Sequence, residues 1–108
     1  LLWGETMTLS SGRPRRRRPS DLAMKLEGLK VVDLSVFLPG PYLTMTLADH
    51  GAEVVKVEPP GGDPGRQIGL ADGPATVFFR NVNRGKRSVV IDLKTAEGRA
   101  QLGELRTA

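Results

Sequence analysis

The chain has 108 residues, enough for one small domain that buries a modest share of its surface. It contains no cysteine, which excludes a disulfide framework, a thiolate zinc site and a cysteine nucleophile, and no run approaches the roughly 20 apolar residues of a membrane span. The net charge of +4 is uneven: Arg13 and Arg15–Arg18 against Glu5 and Asp21 leave +3 in the first 24 residues and +1 in all that follow, so the basic character is no argument for a nucleic-acid partner of the folded part.

Residues 1–23 lack hydrophobic periodicity and hold two prolines around a four-arginine run. This composition predicts a disordered basic leader, with Met24 as the natural start. No apolar or amphipathic stripe in it supports export, and neither a nucleic acid nor a membrane is expected as a partner. From residue 24 to 108 the texture is that of a folded unit.

The stretch LKVVDLSVF, Leu29 to Phe37, follows Gly28 and is rich in β-branched residues, which predicts a strand buried on both faces. Pro39, Gly40 and Pro41 then break the chain. A short helix is expected next, with Leu43 and Leu47 four apart on one face, Pro41 in its first turn and Gly51 as its stop. AEVVKVEPP, Ala52 to Pro60, predicts a second strand that two prolines end. Gly61 to Phe79 holds five glycines and two prolines and reads as a long loop of the kind that carries function. RSVVIDL predicts a third strand. TAEGRAQLGELR predicts a second helix, with Thr95 as N-cap and Glu97 and Gly98 in the first turn. The order β-α-β-loop-β-α indicates an α/β fold, a partial Rossmann-like parallel sheet. Three strands and two short helices cannot cover both faces of such a sheet, so a truncated piece, or one that needs a partner, is expected.

A dinucleotide site is the first suspicion for a β-α-β start, since Glu58 ends the second strand where a ribose-binding acid would sit. The first turn opposes it: SVFLPGPYL has one glycine where G-x-G-x-x-G is needed, and its two prolines remove amide donors. RGKRS lacks the earlier glycine of a P-loop. The carboxylates Asp33, Asp49, Glu53, Glu58, Asp63, Asp72 and Asp92 are scattered and read mostly as solvated. His50, the single histidine, falls in the last helical turn and reads as structural, and Ser35 has no histidine near it to act as base. No catalytic residue and no metal site is predicted. The turn holding Arg84, Lys86 and Arg87, with Lys94 beyond it, is either an anion-binding element or a solvated strand entry.

LEGLKVVDLSVFLPGPYLTMTLADHGAEVVKVEPPGGDPGR together with FFRNVNRGKRSVVIDLKTAEGRAQLGEL resembles the N-terminal part of the class III coenzyme A transferases, over about residues 26 to 105. That family includes formyl-CoA transferase, carnitine and bile-acid CoA transferases and α-methylacyl-CoA racemase. The resemblance implies a Rossmann-like large domain, interlocked homodimers, a cytoplasmic enzyme, and acyl-CoA and carboxylic acids as substrates with no bound cofactor. It implies that Phe37, Leu38 and Pro39 line the CoA site and that Ile91, Asp92, Leu93 and Lys94 hold the adenosine part, with Lys94 as the cation for a CoA phosphate. Many members carry an arginine directly after the second strand's acid, where this chain has Pro59; Arg66 and Arg84 are the candidates to replace it. The transferases form acyl-enzyme anhydrides on an aspartate that the resemblance places beyond residue 108, so the chain is expected to be a fragment with part of the CoA site and without the nucleophile. The alternative within the family is an acyl-CoA racemase. Outside it stand an NAD(P) oxidoreductase piece and a small basic nucleic-acid-binding module.

Overall fold

The structure, a computed structural model, describes residues 6–8 and 24–107. In chain order the elements are β1 (Thr6–Thr8), β2 (Lys30–Asp33), α1 (Pro39–Asp49), β3 (Glu53–Glu58), a 3-10 turn (Pro64–Gln67), β4 (Ala71–Asp72), β5 (Ala75–Thr76), α2 (Val77–Asn83), β6 (Arg87–Val90) and α3 (Ala96–Thr107). Four strands form one sheet in the order β1-β6-β3-β2. β2, β3 and β6 are parallel, with Val31 opposite Val54 and Val55 opposite Arg87, while β1 runs antiparallel along β6. A second, two-stranded sheet pairs β4 with β5.

The period-2 alternation of β3, EVVKVE, assigns its side chains to two unlike faces. Val55 and Val57 point to one face, where Val89, Ile91 and Leu105 join them and Val32 and Leu102 pack alongside. This face is covered by α3 through Leu102 and Leu105, and each such buried side chain contributes about 1.5–3 kcal/mol of transfer free energy. Lys56 and Glu58 point to the other face, together with Asp33 and Ser88, and all four are buried. There α1 packs on β2 and β3 and against α2.

The parallel α/β arrangement expected from the sequence is present, and several details differ for identifiable reasons. β2 is the outer strand of the sheet, so Val31 and Val32 are half-buried and the strand is not covered on both faces. It ends at Asp33 and not at Phe37, because the Asp33 carboxylate accepts the Ser35 N–H at 2.8 Å and turns the chain. The buried stripe of α1 is Pro41, Thr44 and Met45; Leu43 is 59% exposed. The region expected to be one long loop contains the 3-10 turn, the β4–β5 hairpin and the start of α2, whose cap is Thr76 Oγ1 accepting the Phe79 N–H at 3.1 Å. Of the leader expected to be disordered, Thr6–Thr8 form β1; the other residues of 1–23 lie outside the described residues. No helix among the described residues is long and apolar enough to cross a membrane.

The predicted cap of α3 is present: Thr95 Oγ1 accepts the Gly98 N–H at 2.9 Å and donates to the Asp92 carbonyl at 2.9 Å. Gly98 is required by close approach, since a Cβ there would lie 1.8 Å from the Asp92 carbonyl oxygen. Replacing Gly98 with alanine should therefore destabilise the fold by about 1–3 kcal/mol, the usual cost of overpacking a tight contact. Denaturant melts read this directly, and an unchanged midpoint would mean that the α3 start tolerates displacement from the Asp92 turn.

Candidate functional site

The carboxyl ends of three adjacent parallel strands open into one cavity of about 430 Å³. Leu34 and Val36 come from the loop after β2, Val57, Pro59, Pro60 and Gly61 from the end of β3 and its loop, and Ile91, Asp92, Leu93 and Lys94 from the segment after β6. This is the end of an open α/β sheet where ligands bind as a rule. The walls are apolar, and the charged lining side chains are Asp92, half-buried, and Lys94, exposed. Asp92 Oδ1 accepts the Lys94 N–H at 3.0 Å, which folds the segment into a turn against the α3 start. No carboxylate partner holds the Lys94 ammonium among the described residues, which leaves it available to an anion.

Two buried ionic clusters shape the loops that bound this cavity. In the first, Lys86 is fully buried and donates to Asp33 Oδ2 at 2.9 Å, Asn83 Oδ1 at 2.8 Å and the Pro41 carbonyl at 3.0 Å, so all three ammonium protons are used. Asp33 also accepts from Thr44 Oγ1 at 2.6 Å and from the backbone N–H and hydroxyl of Ser35. Burial works to raise the Asp33 pKa, but the bonds from Ser35, Thr44 and Lys86 outweigh it and hold the carboxyl at about 2. Burial pulls Lys86 below its ordinary value, with Asp33 acting in the opposite sense.

In the second cluster Glu58 takes a two-pronged contact from Arg66, at 2.7 Å to each oxygen, and further bonds from the Asp63 N–H at 2.9 Å and the Ser88 hydroxyl. Burial again opposes ionisation, and the Arg66 and Ser88 bonds bring Glu58 down to about 2. The Arg66 guanidinium lies 4.1 Å from the centroid of the buried Phe79 ring. Lys56 links the clusters by pairing with Asp63 Oδ2 at 2.8 Å and donating to the Ser35 carbonyl at 3.0 Å.

These contacts decide several sequence-level alternatives. The conspicuous basic turn is not a free anion grip: Lys86 is internal, while Arg84 and Arg87 are exposed, Arg84 paired with Asp49 at 2.8 Å and Arg87 3.9 Å from Glu53. Asp33, Glu58 and Asp63, expected to be solvated, are buried and paired. Arg66 and Arg84 both hold carboxylates, so neither is free to replace the arginine absent at Pro59. Glu58 is spent on Arg66 and cannot serve a ribose, which removes the support for a dinucleotide site. His50 Nδ1 lies 2.8 Å from the Thr46 carbonyl at the helix end, in keeping with a structural role. No cluster of metal-ligating side chains is found among the described residues.

Of the residues expected at the site, Ile91, Asp92, Leu93 and Lys94 all line the cavity. Leu38 and Pro39 do not: Leu38 precedes the first residue of α1 and Pro39 is that residue, while Leu34 and Val36, earlier in the same loop, supply the wall. Phe37 stands between them with φ of 71°, rare for a non-glycine residue, and its ring packs on Phe78 at 5.7 Å. Pro59, Pro60 and Gly61 were legible only as a strand break. Their place beside the other two strand ends follows from the sheet order.

Comparison with known proteins adds to this geometry. The profile of CoA-transferase family III matches residues 26–107. The succinyl-CoA:mesaconate CoA-transferase of Haloarcula hispanica is 52% identical over 79 residues, 68% of this chain and 20% of that protein. The human succinyl-CoA:glutarate CoA-transferase is 42% identical, covering 90% of this chain and 22% of that protein. The crystal structure of the Mycobacterium tuberculosis protein Rv3272 superposes with a TM-score of 0.70 at 41% identity, over 79% of this chain and 23% of that one. The chain thus spans about a fifth of the length of the curated relatives it matches.

The buried carboxylates set an acid limit. Asp33 and Glu58 have folded values of about 2 against ordinary values of 3.8 and 4.5, so the stability they contribute is complete above about pH 4.5 and is lost as the pH falls towards 2. Melting temperature should be level from pH 7 to 5 and drop steeply below 4.5. A transition that holds its temperature down to pH 2.5 would show that these carboxylates do not depend on their cations.

Proposed function

The chain belongs to CoA-transferase family III, and on that premise we propose that it forms part of the coenzyme A site of an enzyme that moves CoA between carboxylic acids. The cavity at the strand ends carries the proposal. It brings Ile91–Lys94, the segment assigned by resemblance to the adenosine part of CoA, into one concave site with Leu34, Val36 and Pro59–Gly61. Apolar walls suit the faces of an adenine ring. The half-buried Asp92 carboxylate offers an acceptor for an amino or hydroxyl proton, and the Lys94 ammonium suits a phosphate at the rim.

In the proposed reaction an aspartate outside the described residues attacks the thioester carbonyl of the donor acyl-CoA. The C–S bond breaks, CoA leaves as thiolate, and an acyl-aspartyl anhydride forms. The thiolate then attacks the aspartyl carbonyl, which releases the donor acid and leaves CoA on the enzyme as a thioester. The acceptor carboxylate displaces it to give a second anhydride, and the returning thiolate takes the new acyl group and regenerates the aspartate. CoA must stay near through four displacements, and a site that grips its nucleotide end while the thiol departs and returns twice meets that need. Relatives named as CoA-transferases support transfer over racemisation, and both relatives described above name succinyl-CoA, the donor to assay first. A homodimer and a cytoplasmic setting belong to the same proposal.

Lys94→Ala is expected to weaken CoA binding about tenfold or more, as loss of a charge-assisted contact worth about 1.5–3 kcal/mol should. Titration calorimetry of the two proteins with CoA measures this. Equal affinities would remove Lys94 from the site, and no binding by the unsubstituted protein would remove the cavity.

A further inference from the structure

We propose that Lys56 is a positioning residue that holds two walls of the cavity at a set separation; its effect on ligand affinity rests on the reading of the cavity as the CoA site. Lys56 lies on the central strand β3 with 0% of its surface exposed. Its ammonium makes one contact to each of two loops, a hydrogen bond to the first and an ion pair to the second. In the loop after β2 it donates to the Ser35 carbonyl at 3.0 Å, and Ser35 stands between the cavity residues Leu34 and Val36. In the loop after β3 it pairs with Asp63 at 2.8 Å, two residues after the cavity residue Gly61.

Other bonds tie each loop to its own strand. Asp33 Oδ1 accepts the Ser35 N–H at 2.8 Å, Glu58 Oε1 accepts the Asp63 N–H at 2.9 Å, and the Pro59 carbonyl accepts the Gly62 N–H at 2.8 Å. Lys56 is the partner that the two loops share. A methionine of similar length would fill the same space without the cost of burying an ammonium, so the charge is accounted for by its two acceptors and not by packing. Because the loops follow adjacent strands and form neighbouring walls of the cavity, a change in their separation changes the shape of the space between them and the Ile91–Lys94 turn.

The direct variant is Lys56→Met with Asp63→Asn, which removes the ion pair without stranding a buried charge and leaves an oxygen for the Gly65 N–H, now bonded to Asp63 Oδ1 at 2.8 Å. Backbone hydrogen exchange is followed on the whole chain. The expected result is exchange at least tenfold faster at Ser35, Gly62 and Asp63, with protection of Val55, Val57 and Val89 retained and CoA affinity about tenfold weaker at a nearly unchanged melting temperature. Unchanged exchange at the three loop amides, or faster exchange spread evenly through β3 and β6 as from a merely stabilising pair, would overturn the proposal. A second measurement needs no variant: in the unsubstituted protein at low denaturant, Ser35, Gly62 and Asp63 should open together on one isotherm, and separate isotherms for the two loops would also overturn it. Exchange reads Lys56 whether or not CoA binds, whereas CoA titration of the unsubstituted protein reads the proposed function.

Discussion

A buried charged face on the parallel sheet is the constraint on which the rest of this structure depends. Lys56, Glu58, Asp33 and Ser88 lie on the same side of the strands, beneath α1, α2 and the Phe79 ring, where an unpaired charge would cost several kcal/mol. Each is therefore matched. Lys86 reaches Asp33 from the start of β6, Arg66 reaches Glu58 from the 3-10 turn, and Asp63 meets Lys56. The partners come from segments far apart in the chain, so satisfying these charges fixes where the connecting segments must run. Such clusters specify geometry more than they add net stability, and the apolar side beneath α3 supplies the larger share of the driving force.

The geometry so specified is a cavity at the strand ends. Asp33 and Glu58 are the last residues of β2 and β3, and each turns the following loop by accepting its backbone N–H groups. The loops then diverge around a cavity whose third side is the Ile91–Lys94 turn, held by the Thr95 cap and the contact of Gly98 with Asp92. Cations inside the fold are neutralised internally, which leaves Lys94 as the cation that faces the cavity. That division of labour suits a ligand with an aromatic end and a few phosphates.

Much of the fold was legible in the sequence because it rests on local signals: β-branched runs for the strands, Thr95 for the cap of α3, Gly51 after α1. The Ile91–Lys94 segment was singled out through family resemblance, and its residues line the cavity. What was not legible depended on tertiary partners. The alternation of β3 marks neither face as buried, with Glu53 on the side of Val55 and Val57 and Val54 on the side of Lys56 and Glu58, and only the packing of α1 and α2 shows that Lys56 and Glu58 are inside. The cations Arg84, Lys86 and Arg87 look alike in sequence, yet Lys86 alone of the three is buried. Helix α2 is seven residues long and rich in aromatic and β-branched residues, so its propensity is weak, and it was not expected from the sequence; the Thr76 cap that starts it emerges only in the structure. Leu38 and Pro39 were assigned by analogy; the residues of that loop that line the cavity are Leu34 and Val36.

The proposed seat of CoA is the carboxyl ends of β2, β3 and β6. Titrating isotopically labelled protein with CoA and following backbone amide shifts tests it most directly. Perturbations are expected to concentrate at Leu34–Val36, Gly61–Gly62 and Ile91–Lys94, on three sides of one cavity. Shifts centred instead on the Arg84–Arg87 turn or on the arginine run Arg15–Arg18 would contradict it.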